Sequence, residues 1–465
     1  MSKHSVQPLL VSAPAGAGLP QYYQGPPTYQ TIAVPIEVHP VRYRRSPLRR
    51  FLVAFFVTIG IWVTLKTLLV HHIRHGHEDW DWYIPSDMVL EQCVSGSAWG
   101  TSAAALTGDF SAGASFEIPL SVDTVLLLSS YRKSSFFSTH SMSGTLDVTT
   151  SDQFSDSAKV IIHSFDGMRT DGNIRVCLMT GTDGKIGVGI FRKGSWWDTR
   201  SATFMKITLV LPATAALPQV EGLEVDLPNF SINVGNLKDT VDFKSVSLKT
   251  TNAAVKVDSF SAARVLLQTS NARIDADSLV SADLTLKTSN APITGTFNTS
   301  DSLHITTSNS PINVAVGLES NNKAKPTVLI MRTSNNRLDA KVTLSTKAHM
   351  GGRYSVLGRT SNGPLAISIP GSPVESELHL NALTSNAAAE VKLHNTYQGA
   401  FGVSTSSQWS ARVTRLDQSD DDSRHLHFDS NRKGEVGGSI FAKEGNKGLG
   451  EVRVRTSNAQ AVLFV

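Results

Sequence analysis

Residues 246–314 read VSLKTTNAAVKVDSFSAARVLLQTSNARIDADSLVSADLTLKTSNAPITGTFNTSDSLHITTSNSPINV. Within them Asn252, Asn271, Asn290 and Asn309 follow one another at intervals of 19 residues, each closing a Thr-Ser-Asn or Thr-Thr-Asn triplet. The triplet recurs at Asn335, Asn362, Asn386 and Asn458 with longer gaps. A fixed period of this length is the mark of a repeat architecture.

The flanks repeat as well. Leu248, Leu267, Leu286 and Ile305 stand four residues before each Asn, and Val255, Ile274, Ile293 and Ile312 stand three after. Apolar and polar residues alternate on both sides, so each triplet is a polar turn between two strands. A lone hairpin buries little, whereas a constant period stacks equivalent residues about 4.8 Å apart. The expected fold is therefore a β-solenoid of coils, about 19 residues each, over 219–465. Asn tolerates the left-handed backbone of a tight turn, and stacked Asn amides can hydrogen-bond along the column. The eight Asn residues are read as a structural turn ladder. The longer gaps imply excursions such as Gly317–Pro326 and Lys347–Gly352, and excursions on one face are the first guess for binding.

Upstream, residues 96–218 read as short strands with Gly- and Asp-rich turns, including Thr124–Leu128, Lys159–His163, Arg175–Leu178 and Ile207–Leu211. They predict an N-terminal β-unit, sandwich-like, that caps the first coil. Cys93 and Cys177 are the chain's two cysteines. They admit one disulfide, with two buried free thiols as the alternative.

Residues Phe51 to Val70 read FLVAFFVTIGIWVTLKTLLV, 20 residues with one charge, Lys66. At ~1.5 Å per residue a helix of this length matches a bilayer core of ~30 Å. Fifty residues precede the run, so 47–73 are read as a retained signal anchor. RYRRSPLRR lies just before it and only Arg74 soon after, which places the N-terminus in the cytosol and the bulk of the chain in the lumen or outside. The expected location is the plasma membrane or secretory pathway. The net charge of +4 owes its sign to this cluster, so no nucleic acid is expected. Two sequons, at Asn229 and Asn298, fall on the extracytoplasmic side. His71, His72, His75 and His77 are read as part of the polar juxtamembrane stretch that follows the apolar run, with the stalk itself over 74–95. Neither a metal nor a cofactor is expected.

Residues 1–46 lack periodicity and are read as a disordered cytosolic tail. It carries Pro26, Pro27 and Tyr29, a PPxY pattern that suits a WW-domain partner, and Ile32 completes a tyrosine-type sorting motif.

The segments ITLVLP (Ile207–Pro212), GLEVDLPNFSINV and the serial LKTSNAPI coils resemble the putative-adhesin domain family, a domain of unknown function with β-solenoid repeats. With a tail and an anchor the arrangement resembles membrane-anchored fungal members. That resemblance implies a fold and no catalytic residues. The functional expectation is a non-catalytic membrane protein that binds glycan, wall polymer or a protein partner. A WW-ligase adaptor acting through the tail and a carbohydrate-active β-helix enzyme are the alternatives. Asp258, Asp275, Asp277 and Asp283 fall in different columns of the repeat, which disfavours the enzyme.

Overall fold

A computed structural model describes residues 58, 62, 86–95, 99, 112–131, 142–153, 156–164, 174–192, 203–213, 218–321, 324–348, 350–415 and 424–465. The chain divides into Met1–Glu78 and Asp79–Val465. In the first unit only Thr58 and Trp62 are described, both helical. Among the described residues no helix is long and apolar enough to cross a membrane. The anchor expected at 47–73 lies almost wholly outside the described residues, and the tail with Pro26, Pro27, Tyr29 and Ile32 lies entirely outside them.

The described residues of the second unit form β-strands and turns, with one short 3-10 helix at Glu444–Asn446. In chain order its strands are β1 (Met88–Ser95), β2 (Ala112–Pro119), β3 (Thr124–Tyr131), β4 (Met142–Ser151), β5 (Ser157–Ser164), β6 (Ile174–Gly181), β7 (Lys185–Arg192), β8 (Thr203–Pro212) and β9 (Gln219–Asp226). Next come β10 (Phe230–Asn236), β11 (Asp242–Lys249), β12 (Val255–Gln268), β13 (Ile274–Lys287), β14 (Ile293–Thr306), β15 (Ile312–Ser320), β16 (Thr327–Arg332), β17 (Leu338–Thr346), β18 (Arg353–Arg359) and β19 (Leu365–Gly371). The last are β20 (Glu377–Leu383), β21 (Ala389–Lys392), β22 (Gly399–Ser404), β23 (Ala411–Thr414), β24 (His425–Arg432), β25 (Glu435–Phe441), β26 (Glu451–Arg455) and β27 (Ala461–Phe464).

Successive repeats pair in parallel and in register. Ile274 lies beside Val255 and Ile293, and Leu286 beside Leu267 and Ile305. The three long strands each serve two rows. The first half of β12 pairs with β10 and its second half with β11. One row therefore runs from β9 through β11, the second halves of β12 to β14, β16, β18 and β20. The other runs from β10 through the first halves of the same strands, β15, β17, β19 and β21. At one edge the rows meet through the Thr-Ser-Asn turns. At the opposite edge the long strands bend from one row to the other.

Period-2 alternation decides which side chains fill the space between the rows. The columns Leu248, Leu267, Leu286, Ile305 and Val255, Ile274, Ile293, Ile312 are fully buried. Phe243, Phe260 and Phe297 fill the bend side, with Phe243 edge-on to Phe260.

Gly295 shows how the stack absorbs an irregularity. Between Ala276 and Leu279 the β13–β14 register shifts, and it shifts again between Ser281 and Asp283. Gly295 has φ +137°, and a Cβ there would lie 2.0 Å from the Ala276 carbonyl oxygen. Only glycine fits so close an approach.

Several expectations need correction. Residues 88–95, assigned to the stalk, form β1, which pairs antiparallel with β6. The alternation of Met88, Leu90 and Val94 allows a strand, and the Cys93–Cys177 disulfide ties it down. The expected break near residue 218 is not a break in the strand pairing. β3 pairs in parallel with β9, and β4 with β10, because the alternating Val125 and Leu127, and Leu146 and Val148, continue the same inner face. β7 and β8 extend these rows in parallel, and antiparallel β1, β6, β2 and β5 follow. The excursion placed at Gly317–Pro326 starts later, since Gly317–Ser320 belong to β15.

The order of the last repeats also departs from chain order. β26 and β27, which carry Asn458, lie beside β20 and β21. β22 and β23, earlier in the chain, stack on the far side of β26 and β27. The final repeat is thus interleaved, and β25 and β24 extend the row beyond β22.

Candidate ligand-binding groove

The two edges of the stack carry different chemistry. At the triplet edge the Asn side chains form a continuous ladder. Asn271 donates from Nδ2 to Oδ1 of Asn252 at 2.7 Å, Asn290 to Asn271 at 2.7 Å and Asn309 to Asn290 at 2.7 Å. The run continues through Asn335, Asn362, Asn386 and Asn458. It begins at Asn229, whose Oδ1 accepts from Asn252 at 2.6 Å. Every amide from Asn252 onward donates toward the N-terminal end.

The triplet's threonines turn inward. Thr269, Thr288, Thr307, Thr333, Thr360, Thr384 and Thr456 are buried. Their hydroxyls donate to carbonyls of the preceding repeat, as Thr269 does to Ala253 at 3.1 Å and Thr456 to Ala387 at 2.9 Å. A buried carbonyl left without such a donor would cost about 1–3 kcal/mol. The serine and asparagine backbone N–H groups are satisfied too, both Ser289 and Asn290 donating to the Ser270 carbonyl. The triplet is therefore occupied by its own architecture.

The sequence reading missed two members of this edge. Leu227-Pro228-Asn229 is the first turn, closed by the Phe230 N–H on the Leu227 carbonyl at 3.2 Å. Thr405-Ser406-Ser407 is the last, and Thr405 donates to Ala459 at 2.7 Å. The signal was Thr-Ser with Ser407 in the Asn place, 21 residues beyond Asn386.

The bend edge holds a groove of about 440 Å³. Its floor is a column of register partners: Asp242, Ser261, Val280, Asn298 and Gly317. Ser281, Ser300 and Ser345 line it further, with Asn321 and Lys347 where the two excursions leave the stack. Local chemistry shapes the bends as it does the turns. Buried Ser281 donates to the Ala263 carbonyl at 3.1 Å, and buried Thr299 donates to Ala282 at 2.6 Å. Small residues keep the column shallow, and a side chain at position 317 would strike Oδ1 of Asn298.

The groove is mostly neutral. Asp242 stands at one end. At the other, Lys347 pairs with Glu319 at 3.6 Å. Nearby, Arg353 grips Glu377 through two nitrogens at 2.8 and 2.9 Å, and this contact holds the Glu377 carboxyl below its usual range. Buried Tyr354 donates its hydroxyl to the Ser345 carbonyl, and burial pushes its pKa up to about 12.

A second hollow, of about 280 Å³, lies across β3, β9, β11 and β12. Two ion pairs hold three of its charged side chains, Lys244 with Glu221 at 2.7 Å and Glu224 with Lys185 at 3.2 Å. Among the described residues no cluster of three or more His, Cys, Asp or Glu could hold a metal.

The four aspartates weighed for catalysis do not converge. Asp275 accepts from Thr294 at 2.7 Å, Asp283 accepts from Ser302 at 2.8 Å and Asp258 pairs with Lys256 at 3.4 Å. Of the sequon residues, Asn229 stands at the ladder's end and Asn298 in the groove floor.

No family model matches the chain, and no curated protein matches it. Two solved structures show a likeness. One is a putative cell adhesion protein from Clostridium sporogenes ATCC 15579, 10% identical, covering 76% of this chain and 97% of that one, with a TM-score of 0.14. The other is a putative adhesin from Bacteroides fragilis NCTC 9343, 8% identical with the same coverages and a TM-score of 0.18. At such scores neither likeness carries weight for the fold or the function.

Proposed function

We propose that this chain is a single-pass membrane protein whose extracytoplasmic region is an adhesin-like β-solenoid, a non-catalytic module that binds a glycan or wall polymer in the bend-edge groove. The groove carries this reading. It presents small neutral hydroxyl and amide groups over several repeats, which suits an uncharged, hydroxyl-rich chain lying along the stack. The anchor and the cytosolic orientation of the tail rest on the apolar run and its basic flank.

The carboxylates argue for binding over hydrolysis. Asp242 and Glu319 are the acids lining the groove, and four repeat steps separate them. Four steps of ~4.8 Å put their strand positions ~19 Å apart. A glycosidase pair works at roughly 5–9.5 Å.

The test is retention of the full-length chain, in detergent micelles, on an array of glycans and wall polymers. Retention is expected on a neutral polymer, without shortening of that polymer. Asn298→Ala with Asn321→Ala should weaken retention about tenfold, the worth of ~1.4 kcal/mol in lost hydrogen bonds. A chain that no polymer retains would sink the reading.

A further inference from the structure

The Asn ladder has a direction, and its two ends are chemically unlike. Each interior Asn uses both halves of its amide, Nδ2 donating to the repeat before and Oδ1 accepting from the repeat after. At Asn229 only the second half is used. Its Oδ1 accepts from Asn252, and among the described residues no partner takes its Nδ2.

Backbone geometry sets Asn229 apart as well. It has φ +65° and occupies the third position of the turn Leu227-Pro228-Asn229-Phe230, with the proline at the second. That is the pattern of a type II turn, with Asn taking the left-handed place. The side chain is half-exposed at the corner of the stack.

The sequence places an acceptor motif at this end alone. Asn229-Phe230-Ser231 is a sequon. The second residue after each other ladder Asn is Ala254, Arg273, Pro292, Pro311, Arg337, Pro364, Ala388 or Gln460, never Ser or Thr. N-glycosylation replaces one Nδ2 hydrogen with a sugar and leaves the carbonyl oxygen free to accept. An interior rung already donates one of its two Nδ2 hydrogens and has neighbours ~4.8 Å away on both sides, so a sugar would have to take the other hydrogen and fit beside them. Asn229 can carry one and keep its bond to Asn252.

The second sequon stands in the opposite situation. Asn298 lies in the middle of β14, in register between Val280 and Gly317, with its Oδ1 laid over Gly317. A sugar on it would fill the groove.

We infer that Asn229 is the N-glycan acceptor of this chain, a modification that ends the ladder, and that Asn298 stays bare. The inference rests on the extracytoplasmic reading proposed above.

The test uses the full chain made in eukaryotic secretory cells. Peptide amidase treatment in heavy-oxygen water marks each formerly glycosylated Asn as a labelled Asp. Label is expected at position 229 and none at 298. Ser231→Ala should remove one glycan's worth of gel shift. It leaves the Asn229 amide in place, and Ser231→Thr should keep the shift. Protease added to intact vesicles separates the two ways of failing. If residues 86–465 are protected and Asn229 is unlabelled, the inference falls and the location stands. Label at Asn298 also overturns it. Digestion of 86–465 from outside overturns the location reading and the inference with it.

Discussion

Asn458 donates its side-chain amide to Oδ1 of Asn386 at 2.7 Å, across 72 residues of chain. Between them the chain runs through β22 to β25, which sit beyond Asn458 in the stack. The last repeat therefore bridges strands that precede it by 72 residues, as His379 does Glu451, to strands that precede it by 50 or 51, as Ala411 does Ala461 and Ala400 does Glu451.

This interleaving predicts a coupled failure. Val454 is fully buried between β20 and β22. Val454→Asp places an unpaired charge there, at a cost of several kcal/mol. Hydrogen exchange should show protection lost in both 377–383 and 399–404, with 246–316 retained. Loss confined to 451–464 would contradict a bridging role.

The ladder should contribute modestly, since its amides are exposed. Asn290→Ala removes one bond to Asn271 and one from Asn309. At about 1 kcal/mol net per bond, the expected loss is ~1–2 kcal/mol by denaturant titration. Replacing Asn271, Asn290 and Asn309 together should cost more, and an unaltered melting curve would refute the stacking account.

Gly295→Ala should be among the costlier glycine changes, because its Cβ meets the Ala276 carbonyl as well as a left-handed φ. Gly351→Ala is the control, with φ +76° and open space around the added Cβ. Thermal melting should show about 1 kcal/mol for the control and a loss several times larger for Gly295→Ala.

Tyr354 predicts an alkaline transition. Its folded pKa of about 12 lies above the ordinary value of 10, so the native state holds its proton more tightly than the unfolded state. Stability from this group is complete below pH 10 and is lost as pH rises toward 12. Tyr397, buried and donating to the Ala400 carbonyl, is shifted the same way. Tyr354→Phe should remove about 2 kcal/mol of pH dependence from denaturation curves taken between pH 10 and 12.

The Cys93–Cys177 bridge closes a sequence separation of 84 residues. Replacing both with Ala should cost roughly 2–4 kcal/mol. Loss of exchange protection should start in 88–95 and leave the ladder region protected.

The repeat is legible in the order of the amino acids alone. Its 19-residue phase and alternating apolar columns specify which residues face inward, and all the columns named at the triplets are buried. Those are local properties, written in period 2 and repeated often enough to be unambiguous. It also placed Asn252 to Asn458 in one ladder, because equal phase means equal position in a parallel stack. The order of the repeats and the character of the two edges are set by the assembled stack. Asn458 could have followed Asn386 or Ser407 in the stack, since every coil offers the same hydrogen-bonding edge to any other. The groove was equally hidden: Asp242, Ser261, Val280, Asn298 and Gly317 share no residue type, and only register brings them into one column. Asn229 belonged to a turn without the Thr-Ser signature, and its place as the ladder's first rung is a property of the assembled stack.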